Sequence, residues 1–68
     1  MAFVSVYFSL GSNLGRREEN IEKALGMMDK AFGGRYTALS HLIETSPEGF
    51  QSANRFLNCC VLYRIYQK

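Results

Sequence analysis

The sequence has 68 residues, of which 47% are hydrophobic and 21% are charged, so it fits one small globular domain over residues 1–68 and not a disordered tail. The formal net charge is only +2, and the five arginines are scattered, without the aromatic-interleaved basic stripe of a nucleic-acid surface. There is no apolar run of the roughly 20 residues that a membrane span needs, and no signal-peptide pattern. We therefore expect a cytoplasmic protein that binds neither nucleic acid nor membrane.

The first predicted element is a strand over residues 3–10, in which apolar residues occupy every second position from Val4 to Leu10. It ends at Gly-Ser-Asn-Leu-Gly, residues 11–15, whose glycines permit a turn or the close approach of another group. This loop lacks the lysine of GxxxxGK[ST] and the third-position glycine of GxGxxG. It is therefore either a plain tight turn or a loop that presents backbone N–H groups to a ligand.

From Arg16 to about Phe32 the apolar residues recur at intervals of three, four and seven, which predicts an amphipathic helix packed on a sheet. Gly33 and Gly34 follow this segment, and glycine is typical just beyond the end of a helix. The predicted apolar stripe consists of Ile21, Ala24, Leu25, Met28 and Phe32.

Alternating patterns return over residues 35–43 and 56–66 and predict a second and a third strand. Between them, residues 44–55 form a loop that contains the only proline, Pro47, and loops of this length are more often functional than merely connecting. The predicted order is β-α-β-β, an α+β arrangement in which one helix packs on one face of an antiparallel-containing sheet and leaves the other face open. This order is half of a ferredoxin-like sandwich.

The start of the third predicted strand is the best candidate for a binding site. Phe56 and Asn58 are two residues apart, so on a strand they point to the same face. An aromatic ring for stacking and a side-chain amide for hydrogen bonding suit a flat heterocycle with mixed donor and acceptor edges. The alternative is that Phe56 belongs to the core and Asn58 is a polar residue at a strand end.

Other reactive side chains do not form a recognisable site. His41 has no metal-ligand spacing around it, and it is a poor candidate for a catalytic base. Cys59 and Cys60 are neighbours, which point to opposite faces of a strand and lack the spacing of a zinc or redox motif. We interpret them as small apolar residues in a reducing compartment.

Three stretches of the sequence together resemble the N-terminal part of 6-hydroxymethyl-7,8-dihydropterin pyrophosphokinase. They are YFSLGSNLG at residues 7–15, ETSPEGF at residues 44–50 and FLN at residues 56–58. Each motif has modest specificity, but their order and spacing extend the resemblance over essentially the whole chain. The resemblance implies a folate-biosynthesis enzyme that transfers pyrophosphate from ATP to 6-hydroxymethyl-7,8-dihydropterin.

The resemblance also implies where the pterin binds. In that family an asparagine matching Asn58 hydrogen-bonds the ring edge, an aromatic matching Phe56 lines or stacks on the ring, and backbone groups near Thr45 complete the recognition. Ser46 and Glu48 depart from the family pattern, since many relatives carry proline and an apolar residue there. The implied pterin-binding residues are Gly11, Thr45, Ser46, Glu48, Phe56 and Asn58.

The implied cofactors are Mg²⁺ and ATP, which the family holds with an Asp-x-Asp pair and basic residues in its C-terminal half. This sequence has a single aspartate, Asp29, and no paired-carboxylate motif near a strand end. We therefore expect the chain to be the pterin-binding portion of the enzyme, with no metal site or catalytic residue of its own and no transfer activity alone.

Two other functions fit the same topology. A β-α-β-β unit has uncovered strand edges, so pairing with a second copy would make it a self-associating module. We also expect the unit to leave apolar strand residues uncovered, and the abundance of apolar residues on both faces of the third predicted strand favours burial by a second copy. These residues include Leu57, Cys59, Val61, Tyr63 and Ile65. A small regulatory ligand-binding domain is the third possibility.

Overall fold

The longest strand lies at the centre of the sheet. In the computed structural model, which describes residues 2–46 and 54–67, every other strand pairs with it antiparallel. The elements in chain order are β1 (Ala2–Ser12), α1 (Arg17–Phe32), β2 (Ala38–Leu39), β3 (Ile43–Thr45) and β4 (Phe56–Gln67). The predicted α+β class and the β-α-β-β order, half of a ferredoxin-like sandwich, are confirmed.

β1 and β4 form the main ladder, which runs from the pair Ala2 and Gln67 to the pair Ser12 and Leu57. On the other side of β4, β2 pairs near the middle of the strand and β3 pairs near its start. The start of β4 therefore lies between the end of β1 and β3, which is the arrangement that builds the site described below.

The prediction of one continuous second strand over residues 35–43 is wrong. β2 pairs Ala38 with Leu62 and β3 pairs Ile43 with Asn58, so the chain advances five residues here while β4 advances four. The extra residue makes the interruption at residues 40–42 a bulge. Ser40 contributes to it, because its hydroxyl oxygen accepts the Cys60 backbone N–H at 2.8 Å in place of a backbone carbonyl.

The bulge changes which side chains share a face. A regular strand would put residues 38 and 43 on opposite faces, since side chains alternate. The extra residue instead lets Ala38 face the same side as Leu62 and Ile43 the same side as Asn58, which are residues of one β4 face. Thr45 therefore joins Ile43 on that face.

The core lies between α1 and the other face of β4. Ile21 and Leu25 of the helix are buried, and Met28 and Phe32 pack against the same cluster, which confirms the predicted apolar stripe. The expectation that the apolar residues of β4 lie uncovered is wrong, because they occupy alternate positions and the helix covers that face. The buried residues of β4 are Leu57, Cys59, Val61 and Tyr63, and Ile65 packs at their edge.

α1 ends at the two glycines that the sequence analysis predicts as its end. Gly33 adopts a left-handed conformation with φ of 74°, and the Gly34 N–H donates to the Asp29 carbonyl at 3.0 Å. No described helix has the length and apolar character needed to cross a membrane.

Candidate functional site

The candidate site lies on the sheet face opposite α1, where β1 ends and β4 begins. Gly11 pairs with Asn58 across the β1–β4 ladder, and Ile43 pairs with Asn58 across the β3–β4 ladder. Thr45 pairs with Phe56 one step further along. Four of the predicted site residues, one from β1, one from β3 and two from β4, therefore meet on one face.

Phe56 and Asn58 both lie over the backbone of Gly11. A Cβ atom added at Gly11 would lie 2.9 Å from Asn58 Oδ1 and 3.6 Å from Phe56 Cδ1. The first distance is shorter than a side chain tolerates, so the glycine permits a close approach, as the sequence suggests. Phe56 and Asn58 are themselves half-buried, which leaves part of each accessible to a ligand.

The Asn58 amide is held from the β3 side. Its Nδ2 atom donates a 2.7 Å hydrogen bond to Thr45 Oγ1 and lies 3.4 Å from the Ile43 carbonyl oxygen. The side chain therefore bridges β4 to β3, while its Oδ1 atom lies on the Gly11 side.

The two remaining predicted site residues are less defined. Ser46 follows β3 directly and is exposed. Glu48 lies outside the described residues.

An ion pair that the sequence analysis missed supports the site from the opposite face. Arg17, at the start of α1, donates to Glu44 Oε1 at 2.6 Å and to the Arg55 carbonyl oxygen at 2.8 Å. It thereby joins the helix to β3 and to the residue before β4. The hydrogen bond from Arg17 and its positive charge lower the pKa of Glu44, with a smaller contribution from the charge of Arg55.

The same open face continues along β4 as an apolar depression of about 280 Å³. Cys60 lies two residues beyond Asn58 in this depression and is exposed. Tyr7, Leu39 and Leu62 are among the other lining residues. A flat ligand over Phe56 and Asn58 would therefore have an apolar surface beside it.

The described residues do not fit a magnesium site. None of them form a group of three or more His, Cys, Asp or Glu side chains placed to hold a metal ion. The carboxylate of Asp29, a residue of α1, instead accepts a hydrogen bond from the Tyr63 hydroxyl of β4.

Comparison with known families identifies the chain. The family model described as 7,8-dihydro-6-hydroxymethylpterin-pyrophosphokinase (HPPK) matches residues 7–68. The chain belongs to the HPPK family. The resemblance seen in the three sequence motifs is therefore confirmed.

Curated relatives match most of this chain. A 2-amino-4-hydroxy-6-hydroxymethyldihydropteridine pyrophosphokinase of Porphyromonas gingivalis is 48% identical over 59 residues, which are 87% of this chain and 40% of the relative. The protein of the same name from Bacillus subtilis is 34% identical over 55 residues, or 81% of this chain and 33% of the relative. A folate synthesis bifunctional protein of Arabidopsis thaliana is 41% identical over 59 residues, 87% of this chain and 12% of the relative.

The chain thus spans at most about two fifths of the length of these relatives. No solved structure shows a significant match to it.

Proposed function

We propose that this chain binds the pterin substrate of a folate-biosynthesis pyrophosphokinase through the open face at Asn58. The observation that carries the proposal is the convergence of Phe56 and Asn58 over the bare backbone of Gly11. Membership of the HPPK family supports it, because the relatives are named for a pteridine substrate.

The chemistry of that substrate suits the side chains. A 2-amino-4-hydroxypteridine is a flat bicyclic ring with hydrogen-bond donors and acceptors along one edge. The Phe56 ring offers an apolar face for stacking, and the Asn58 amide offers a polar group beside it. In this proposal Gly11 gives the ring access to Asn58, and Thr45, Ser46 and Glu48 border the ring.

The reaction of the intact enzyme would be attack of the pterin hydroxymethyl oxygen on the β-phosphorus of ATP. The new P–O bond would replace the bond from the β-phosphorus to the α,β-bridging oxygen, so that AMP leaves and the hydroxyl proton is released to solvent. Mg²⁺ would supply charge neutralisation for that transfer when bound. The described residues provide no matching carboxylate group, so the metal and ATP would be held by residues beyond those described. We propose that the 68-residue chain contributes substrate binding and no transfer activity of its own.

The experiment that tests the proposal is a titration of the folded chain with 6-hydroxymethylpterin, followed by calorimetry or pterin fluorescence. Asn58→Ala removes the amide, and loss of a hydrogen bond to a buried ligand edge costs about 1 to 3 kcal/mol, or roughly a ten- to hundredfold loss of affinity. Ser5→Ala, a substitution at an exposed position of β1 away from the site, is the matched control and should bind normally.

Two results would contradict the proposal. One is a folded wild-type chain that does not bind the pterin, and the other is binding that Asn58→Ala leaves unchanged. Turnover of ATP by the purified chain with added Mg²⁺ would contradict the assignment of the metal and ATP to residues beyond those described.

Self-association is a second candidate function, favoured by the edge of β1 that no other described strand pairs with. Among the described residues β1 pairs with β4 alone, and its 11 residues contain no charge and no proline. Long, uncharged edge strands of this kind readily pair with another strand. Antiparallel pairing of two copies about Tyr7 would oppose Val6 to Phe8 and Ser5 to Ser9, so that like faces stay together.

Sedimentation equilibrium of the chain tests this candidate. Tyr7→Lys places two positive charges opposite each other at the centre of the paired edge, where like charges are destabilising. It should convert a dimer to a monomer, whereas Leu14→Lys, at an exposed loop position, should leave the dimer intact. A monodisperse wild-type monomer with cooperative unfolding would exclude the pairing.

A further inference from the structure

The orientation of the Asn58 amide follows from its neighbours on β3. The Ile43 carbonyl oxygen, 3.4 Å from the amide, has no proton and can only accept a hydrogen bond. The amide end that faces it must therefore be the NH₂ group, since an oxygen there would face another oxygen. The Thr45 hydroxyl, which can donate or accept, then accepts from the same NH₂ group at 2.7 Å.

The opposite end of the amide lies toward β1. Asn58 Oδ1 lies over Gly11, so a Cβ atom added at Gly11 would lie only 2.9 Å from it. Both protons of the NH₂ group are directed to oxygens of β3, so the donor end of Asn58 lies toward β3 and its acceptor end lies toward Gly11 of β1. The β2–β3 bulge makes this possible, because it brings Thr45 to the face of Asn58.

We propose that Thr45 is a positioning residue, whose hydroxyl holds the Asn58 amide so that the site presents an acceptor and selects a heterocycle edge that carries N–H donors. This inference rests on the proposed function and specifies its substrate recognition. The 2-amino group of a pterin and the ring N–H beside it are donors of this kind. With the amide reversed, the site would instead select a ring carbonyl.

The first test measures 6-hydroxymethylpterin affinity in a double-mutant cycle. Thr45→Val removes the hydroxyl with little change in shape and should weaken binding by about three- to tenfold, while Thr45→Ser, which keeps the hydroxyl, should restore it. In an Asn58→Leu background Thr45→Val should have almost no further effect, because Thr45 acts through Asn58. Additive losses would overturn the positioning role.

The second test asks which end of the amide the ligand meets. Asn58→Asp keeps an acceptor toward Gly11, and the Thr45 hydroxyl can turn to donate to the other carboxylate oxygen. That oxygen faces the Ile43 carbonyl oxygen, so the variant loses the longer of the two hydrogen bonds of the amide. It should stay within about tenfold of the wild-type affinity, and Asn58→Leu should bind at least tenfold more weakly than Asn58→Asp. Equal losses in the two variants would show that the ligand requires the NH₂ group and would overturn the proposal.

A third measurement requires no ligand, so it can also be made on variants that bind the pterin poorly. The two side-chain N–H signals of Asn58 in ¹⁵N-labelled protein should be well separated and slow to exchange in the wild type and in Thr45→Ser, and should lose that protection in Thr45→Val. Unchanged signals in Thr45→Val would overturn the positioning role. Failure of the wild type to bind any pterin would overturn the proposed function and the donor-edge selection, while the amide signals would still decide whether Thr45 holds Asn58.

Discussion

Tyr63 of β4 donates a 2.6 Å hydrogen bond to the Asp29 carboxylate of α1, which joins the central strand to the helix across the core. The Tyr63 side chain is only 1% exposed, and its ring makes an edge contact with Phe32 at 4.9 Å between centroids. The hydroxyl also lies 3.3 Å from the Leu25 carbonyl oxygen. A buried polar group is thus satisfied where the helix contacts the sheet.

This arrangement predicts a loss of stability at high pH. Burial, followed by the hydrogen bond to Asp29, raises the pKa of Tyr63 from 10.0 to about 12. Between these values the unfolded chain loses the tyrosine proton and the folded chain keeps it, so the free energy of unfolding falls as pH rises through this window. The contribution is fully present below pH 10, and its loss amounts to at most about 3 kcal/mol.

Denaturant unfolding of wild type and Tyr63→Phe from pH 8 to pH 12 measures this effect. At pH 8 the variant should be less stable by about 1 kcal/mol, because it lacks the hydrogen bond. The difference should shrink as pH rises, since only the wild type carries the tyrosine that must ionise. Parallel stability curves for the two proteins would contradict the raised pKa of Tyr63.

The end of α1 provides a second prediction with an internal control. Gly33 has φ of 74°, and a side chain added there would meet no other atom within 4 Å, so only backbone strain opposes Gly33→Ala. We expect a loss of about 1 to 2 kcal/mol in the free energy of unfolding. Gly34→Ala meets open space without a left-handed φ, so its effect should be within about 0.5 kcal/mol. Equal effects of the two substitutions in thermal or urea unfolding would contradict this account.

The helix and the core could be predicted because their signals are local. The spacing of Ile21 and Leu25 fixes the buried side of α1, and Gly33 marks its end. The alternation that begins at Leu57 likewise fixes one face of β4, although the sequence alone does not show that the helix covers that face. A periodic pattern identifies a face, but only the packing identifies what lies against it.

The prediction of one continuous second strand failed because it extends the strand pattern through residues 40–42, where the structure has a bulge. Residues 38–43 read Ala-Leu-Ser-His-Leu-Ile, so two polar residues lie between two apolar pairs, and the extra residue in this stretch shifts the register against β4. That shift decides that Thr45 faces Asn58 and that Glu44 faces Arg17. Both contacts join residues at least 13 positions apart, so their geometry depends on tertiary structure.

The adjacent cysteines should differ sharply in reactivity. Cys59 is buried and Cys60 is exposed on the open face. Burial, followed by the neighbouring Cys60, raises the pKa of the Cys59 thiol, which further disfavours the reactive thiolate. With an aromatic disulfide reagent at pH 8, we expect one rapid thiol, and a second that reacts at least about 100-fold more slowly because it requires opening of the core.

Two variants assign these rates. Cys60→Ser should abolish the rapid phase, and Cys59→Ser should leave it unchanged. Rapid reaction of the folded Cys60→Ser protein would show that Cys59 is accessible and would contradict its burial between the sheet and α1.

Gly11→Ala should weaken ligand binding while it changes the free energy of unfolding only slightly. The new methyl group would lie 2.9 Å from Asn58 Oδ1, so the amide must move, whereas its 3.6 Å approach to Phe56 is an ordinary contact. Alanine is tolerated in a strand at least as well as glycine, and we expect the free energy of unfolding to change by no more than about 1 kcal/mol. Displacing the amide should weaken 6-hydroxymethylpterin binding by about tenfold or more. Gly34→Ala, remote from the site, should bind as the wild type does, and a folded Gly11→Ala protein with wild-type affinity would show that the ligand does not contact Asn58 over Gly11.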